Sequence, residues 1–204
     1  MSLVRRGAKV VGLDFSPVAI QGARRLAEET GSTAEFVEAN VYDARRVLQG
    51  EFDLVYVTWG AINWLPDIAQ WGRVAGSLLR PGGRLYLADT HPFALSLSEE
   101  NGLFRVAHEW RNAPDEPAIY QSEGSYTGDE TPLGHGRFHE WTHPLSAIFG
   151  ALSEGGLRLD HFSEHETLPY RLFPSLVEVG RQSFTLPDGA PRFPLSFSLW
   201  ASKA

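Results

Sequence analysis

The strongest constraint on this chain is the order in which two periodicities alternate between Ala8 and Asp89. Short apolar runs lie near Lys9–Leu13, Glu35–Val37, Asp53–Thr58 and Arg84–Ala88, and each is bounded by glycine, proline or charge. Between them, Pro17–Thr30 places Val18, Ala19, Ala23, Leu26 and Ala27 at helical spacing, with Arg24, Arg25, Glu28 and Glu29 on the wet side. A second helix opens at Leu65-Pro66-Asp67 and runs to about Leu79, with Ile68, Trp71, Val74, Ala75, Leu78 and Leu79 on its inner stripe. Arg80-Pro81-Gly82-Gly83 reads as a turn into the last run, and Arg45–Gln49 is too short and mixed to assign. Strand, helix and strand in this order fold as an α/β sheet with parallel neighbours and right-handed crossovers. Buried parallel strands are apolar on both faces. Phe52–Thr58, the clearest strand, is expected to be one of them.

After Thr90-His91-Pro92 the pattern changes. Residues 92–143 are rich in glycine, proline and aromatics, with strand-like pieces at Phe104–Trp110, Ile119–Tyr126 and Gly136–Trp141, as in a small antiparallel insertion or lid. Pro144–Glu154 is a helix with Leu145, Ile148, Phe149 and Leu152 inward, stopped by Gly155-Gly156. Leu157–His165 and a strand within Phe193–Ser202 are expected to pair antiparallel. Residues 1–204 are read as one domain.

Composition excludes several functions. A net charge of −7 does not suit a nucleic-acid partner held by phosphate neutralisation. With no cysteine there is no disulfide, no thiolate metal site and no cysteine nucleophile. No run is long and apolar enough to span a membrane, and cytoplasmic residence is the default.

Open α/β sheets bind ligands outside the carboxyl ends of their strands. Asp14 ends the first apolar run, and an acid there either holds the two hydroxyls of a ribose or, with Ser16 and Pro17, starts the next helix. Asn40-Val41-Tyr42-Asp43 ends the second run in the same way. In a nucleotide-binding βαβ unit the acidic strand is the second one, after a strand and a glycine-rich turn. Only Leu3–Gly7 precede Ala8, room for the last turn of a crossover helix, so that first strand is expected to be absent from the chain. The strands on either side of the gap would keep open edges, which invites a homo-oligomeric contact or further residues upstream.

Four pieces then resemble, in order and spacing, the class I S-adenosylmethionine-dependent methyltransferases of small molecules. Gly7–Pro17 looks like the second strand with its ribose-binding acid, and Phe36–Asp43 like the third strand and adenine-contacting turn. Phe52–Trp59 looks like the fourth strand, and Leu78–Asp89, with its Arg-Pro-Gly-Gly, like the helix, turn and fifth strand. The resemblance implies a Rossmann-like methyltransferase sheet, mostly parallel, with a C-terminal antiparallel pair and an insertion after the fifth strand. It implies S-adenosylmethionine as cofactor and a small molecule as methyl acceptor. Asp14 would then bind the ribose, Phe15 pack on the adenine, and Asp43 accept from the adenine amine beside the backbone of Val41 and Tyr42. Thr58 and Trp59 would border the methionine half. The family's glycine-rich loop has no counterpart here.

His91, just after the fifth strand, is the candidate base for the acceptor's proton, weighed against a loop histidine hydrogen-bonded beside Pro92. Arg105, Tyr120, Tyr126 and Arg137 could line an acceptor pocket or simply a surface strand. His135, His139 and His143 recur every four residues, which in a strand spaces them some ~13 Å apart, too far to share one metal. His161 and His165 are spaced in the same way, and no metal site is expected. Two other readings accompany methyl transfer. One is a dinucleotide-dependent oxidoreductase, which Asp14 would serve equally well. The other is a non-catalytic binding protein of the same fold that has lost the cofactor loop.

Overall fold

A computed structural model describes residues 2–121 and 136–204. They form two compact units, Met1–Phe52 and Asp53–Ala204.

The first unit begins with one helical turn, α1 (Ser2–Arg5), followed by β1 (Val11–Asp14), α2 (Pro17–Thr30) and β2 (Glu35–Glu38). A 3-10 turn, Val41–Asp43, then leads into the short helix α3 (Ala44–Val47). β1 and β2 pair in parallel, Val11 opposite Glu35 through Asp14 opposite Glu38. Gly12 lies opposite Phe36, and a methyl added there would come within 2.9 Å of the Phe36 ring, so the strand needs glycine at that point. Ser16 caps α2 by accepting from the Ala19 N–H (3.3 Å), and Gly31 ends it in the left-handed conformation. The helix has the expected bounds but not the expected inner stripe. Val18 is 78% exposed and Leu26 is also exposed, while Ile20 and Ala27 are buried. A sheet of two four-residue strands offers little surface, and two positions seven apart on one helix face are enough to cover it.

The second unit is organised on a four-stranded sheet, built from β3 (Phe52–Thr58), β4 (Leu79–Thr90), β9 (Leu157–His165) and β13 (Ser196–Lys203) in the order β3-β4-β13-β9. β13 runs antiparallel to both neighbours, from Ser196 opposite Thr90 and from Ser196 opposite His165. The antiparallel C-terminal pair is therefore present, and the antiparallel arrangement extends to β4 as well. Strand β4 starts earlier than expected, at Leu79, and continues through the Pro81-Gly82-Gly83 stretch; its register with β13 begins at Arg84, after Gly82 with φ 72.

One face of this sheet is covered by α4 (Ile68–Leu78) and α6 (Leu145–Glu154). Leu85, Leu87, Leu199 and Ala201 are fully buried, as are Ile148, Ala151 and Leu152 of α6. The stripe expected on α4 is buried at Ile68, Trp71, Ala75 and Leu78 and partly buried at Val74. The two helices cross at glycine. A methyl built on Gly72 would lie 2.5 Å from the carbonyl carbon of Ala151, and one on Gly76 would lie 2.8 Å from that of Gly155. The other sheet face carries a row of rings, Tyr56 on Tyr86 (centroids 5.3 Å) and Tyr86 on Trp200 (4.8 Å). Because of this open face, β3 is less buried than its apolar run suggests: Tyr56 is 52% exposed, and β4 is the one sheet neighbour of β3 among the described residues.

Between β4 and α6 lie α5 (Pro92–Leu95), β5 (Leu97–Glu100) and β6 (Leu103–Val106), then β7 (Ala118–Gln121) and β8 (Arg137–Glu140). β5–β6 and β7–β8 are antiparallel pairs. The insertion thus has strands near the expected places, β6 and β8 shorter than their sequence signals; the end of the run expected at Ile119–Tyr126 lies outside the described residues, as does His135. The stretch after β9 holds a small sheet absent from the sequence reading, β10 (Thr167–Leu168), β11 (Val177–Gly180) and β12 (Ser183–Thr185), ordered β10-β12-β11. Leu168, Phe173, Leu176, Leu186 and Leu195 bury themselves with Ala94 and Leu97 in a second core beneath it.

Candidate functional site

The expected site residues fall into two sets, one in each unit. In the first unit, β1 and β2 end side by side, and the Ala39 N–H donates to the Asp14 carbonyl (3.0 Å). The Asp14 carboxylate is exposed; its Oδ1 accepts from the Ser16 N–H (2.8 Å), and no bond to Oδ2 occurs among the described residues. Asp14 thus shapes the turn while Ser16, not Asp14, caps the helix. The Phe15 ring beside it is 64% exposed, a flat apolar face in water. Asn40 holds the following turn by accepting from the Tyr42 N–H (3.0 Å), which presents Val41 and Tyr42 as backbone and Asp43 as an exposed acid near Arg46 (3.3 Å).

In the second unit, Thr58 ends β3 and Trp59 takes φ 52, followed by Gly60 at φ 80. A non-glycine residue in the left-handed region costs about 1–2 kcal/mol and needs a reason. Here the reason is visible. Trp59 N–H donates to the Ala88 carbonyl (2.9 Å), and Gly60 N–H donates to Asp89 Oδ1 (2.7 Å), so the loop is clamped to the end of β4. Asp89 Oδ1 also accepts from the Thr90 N–H (2.8 Å). The residue is 1% exposed, and its Oδ2 is buried without a partner among the described residues. Burial pushes this carboxyl up to about 6, against the pull of the Gly60, Thr90 and Ile62 backbone N–H groups.

His91 lies two residues on, 7% exposed. Its Nδ1 accepts from the Phe93 N–H (3.1 Å) and so caps α5, which fixes the tautomer with the proton on Nε2. Nε2 comes within 3.1 Å of Glu164 Oε1 on β9, without the alignment of a good hydrogen bond. Burial lowers the ring's proton affinity, and Glu164 partly restores it. Both nitrogens of His91 are therefore directed at groups of the fold.

The insertion contributes its own acid. Trp141 N–H donates to the Asn63 carbonyl (2.8 Å), tying β8 to the Ile62–Trp64 turn that follows the Trp59 loop. Along β8, Phe138 and Glu140 are half-buried while Arg137 and His139 are exposed. Phe138 stacks on Tyr120 (5.6 Å) and meets Trp64 (5.9 Å). The Glu140 carboxyl is pushed up by burial and by Asp89, and the Tyr120 phenol by burial and by Glu140. Tyr170 hydrogen-bonds Thr90 through its hydroxyl, and burial raises its phenol, with Asp89 and Glu140 adding to the effect.

Other expected residues have structural parts. Arg105 is exposed and paired with Glu100 (2.8 Å). His143 is buried with Nε2 on the Leu65 carbonyl (2.8 Å), and His161 and His165 bond Ser163 and Ser198. No cluster of three or more metal-ligating side chains occurs among the described residues. A basic cleft of about 650 Å³ opens near Arg84, Arg158 and Lys203, away from Asp89. Two of its charges are engaged: Arg158, with Ser202, bonds Asp160, and Lys203 Nζ donates to the Leu79 carbonyl (2.7 Å). Asp89, Glu140 and Tyr170 are the residues that reading the sequence missed. For Asp89 the signal was present, an acid at the end of an apolar strand, the same one that marks Asp14.

Residues 1–85 match the family model described as a methyltransferase domain. The ubiquinone biosynthesis O-methyltransferase of Methylobacterium sp. (strain 4-46) is 31% identical over 161 residues, covering 73% of this chain and 61% of that protein. The chain spans less than two thirds of the length of the curated relatives it matches. Among solved structures, a SAM-dependent methyltransferase from Methanosarcina mazei superposes with a TM-score of 0.62 at 18% identity, over 99% of this chain and 85% of that one. A glycopeptide N-methyltransferase solved with S-adenosyl-L-methionine superposes at 0.55 with 16% identity, over 99% and 80%. At these identities the superpositions establish the fold.

Proposed function

We propose that this chain is an S-adenosylmethionine-dependent methyltransferase and that it methylates a hydroxyl of a small molecule in the cytoplasm. The observation that carries this reading is the Asp14 carboxylate, exposed at the carboxyl end of β1 with Oδ2 unengaged among the described residues and the Phe15 ring beside it. That donor set suits an adenosine: an acid for the ribose hydroxyls and a flat face for the base. Val41, Tyr42 and Asp43 on the neighbouring strand end would take the adenine edge. When bound, the cofactor supplies an electrophilic methyl on a sulfonium. The chain's own part is to position the acceptor, exclude water and accept a proton. In this reading His91 is a positioning residue, which caps α5 and faces Glu164 beside the strand end that carries Asp89. The match of residues 1–85 to a methyltransferase domain and the likeness to an O-methyltransferase favour methyl transfer over the oxidoreductase and the non-catalytic readings.

Calorimetric titration of the full chain with S-adenosylmethionine and its demethylated product tests the proposal. A hydrogen bond to a charged group is worth about 1.5–3 kcal/mol, so Asp14→Ala should weaken binding at least about tenfold. Affinity indifferent to Asp14, or no binding at all, overturns the assignment.

A further inference from the structure

The cleft at Arg84 lies toward the other end of its sheet from Asp89, and the length of β4 between them spans about 17 Å. Its floor follows from strand register. Ser202 on β13 is opposite Arg84 on β4 and Arg158 on β9, while Trp200 is opposite Tyr86 and His161. Residues two apart on a strand share a face, so a row Arg84-Ser202-Arg158 and a row Tyr86-Trp200-His161 lie side by side, about 7 Å apart. On β9 a bulge takes up the odd residue, Asp160, and keeps Arg158 beside Ser202, 3.5 Å from its hydroxyl.

The charges around the first row are unevenly answered. Arg158 and Ser202 both donate to Asp160 Oδ1 (3.0 Å each). Lys203 Nζ is taken up by the Leu79 carbonyl. Arg84 is exposed, makes no side-chain hydrogen bond or ion pair among the described residues, and acts on Asp160 through space alone. Three cationic side chains therefore line the cleft with one carboxylate, in a chain whose net charge is −7. Such a chain does not attract anions in general, so an anion held here is recognised locally.

We infer that this cleft binds a planar aromatic ring carrying a phosphate monoester, with the ring against Trp200 and the phosphate between Arg84 and Arg158. Its volume of about 650 Å³ suits a small organic molecule. The two arginines stand two strand spacings apart, about 10 Å, a gap that their long side chains can close on one group from both sides. A phosphate monoester carries about −1.5 to −2 charges at pH 7 and has three acceptor oxygens, enough to engage both guanidinium groups; a carboxylate engages one. The indole of the second row gives the ring a flat face. In the free chain Asp160 holds the place of the phosphate on Arg158, and it yields Arg158 when the ligand arrives. The site is independent of the methyl-transfer reading.

Phenyl phosphate is the probe, titrated into the full chain by calorimetry, with inorganic phosphate, phenol and benzoate as partial ligands. It should bind at least about tenfold more tightly than any of the three, and excess S-adenosylhomocysteine should not displace it. Two variants should move its affinity in opposite directions. Arg84→Gln should melt as the parent does and lose at least about tenfold. Asp160→Asn still offers Ser202 an acceptor but removes the competing charge, so it should bind more tightly than the parent. The Trp200 indole N–H, assigned in nitrogen-15 spectra through Trp200→Phe, should shift with phenyl phosphate and not with inorganic phosphate. No binding to the parent, inorganic phosphate binding equally well, or displacement by S-adenosylhomocysteine would each overturn the inference. So would Arg84→Gln binding unchanged, Asp160→Asn binding more weakly, or a Trp200 signal that does not move.

Discussion

Substituting Gly72 by alanine places one methyl group where α4 and α6 touch backbone to backbone. The added carbon would lie 2.5 Å from the carbonyl carbon of Ala151 and 3.0 Å from its Cα, and closer still to the carbonyl oxygen. Relaxed carbon contacts lie near 3.5–4.0 Å, so the helices must part by about 1 Å. Neither neighbour can yield alone, because both are main chain, and α6 carries Ile148, Ala151 and Leu152 into the core. Overpacking costs about 1–3 kcal/mol, and two rigid backbones place this site at the upper end. Alanine recovers about 0.5–1 kcal/mol of helix propensity. The net loss is about 2 kcal/mol, which lowers the melting temperature by about 4–8 °C in a chain of this size. Gly150→Ala on α6 is the matched control. Nothing lies within 4 Å of its added methyl, so the propensity gain stands alone and the protein should melt higher. Thermal unfolding followed by far-UV circular dichroism reads both. A Gly72→Ala chain that melts at or above the parent would refute the close-contact argument, whatever Gly150→Ala does.

Stability should also depend on pH in two opposed ways. His91 and His143 have folded-state values lowered, first by burial, so their contribution is complete above about pH 6.5 and is lost as the pH falls and protonation favours the unfolded chain. Denaturant titrations at pH 7 and 5 should show this loss, reduced in His143→Gln. Asp89 behaves in the opposite sense: raised from 3.8 to about 6, it favours the folded state when protonated and costs stability as the pH rises through that window. Two pKa units correspond to about 3 kcal/mol, so Asp89→Asn should stabilise the chain at pH 7 by up to about that amount and by nothing below pH 4. An unchanged or lowered denaturation midpoint at pH 7 would contradict the burial argument. Asp67 caps α4 by accepting from the Gln70 N–H (2.8 Å), and Asp67→Ala should cost about 1 kcal/mol in the same assay.

What the sequence disclosed was what local chemistry decides. Ser16, Pro17 and Gly31 mark the ends of α2, and the run Phe52–Thr58 coincides with β3. The apolar stripe of α4 matched because one sheet face lies beneath all of it. The stripe of α2 did not, since Val18 and Leu26 look inward only if a wide sheet is assumed. The β10–β12 sheet was illegible for a similar reason. Its strands are two to four residues long, and its core draws Leu168, Phe173, Leu176 and Leu186 from turns that carry no period. At the candidate site, Asp14 stood out by position, but the groups that interact with Asp89, the Gly60 N–H, Tyr170 and Glu140, lie far apart in the chain. His91 looked catalytic because it follows a strand end; that Phe93 N–H and Glu164 engage its ring is visible only in three dimensions.

The strand that closes the larger sheet is also the last of its four to be synthesised. β13 lies between β4 and β9 and bonds to both, so a ribosome that has finished β4, α6 and β9 has still made no neighbour for either inner edge. Until Ser196–Lys203 emerges, Leu85, Leu87 and Phe162 line a slot one strand wide. Such a slot accepts any extended apolar segment, including the β13 of another chain. Folding of this unit is therefore a race between its own β13 and a borrowed one. Slow emergence of β13 or high expression would favour the borrowed strand, and with it exchanged dimers.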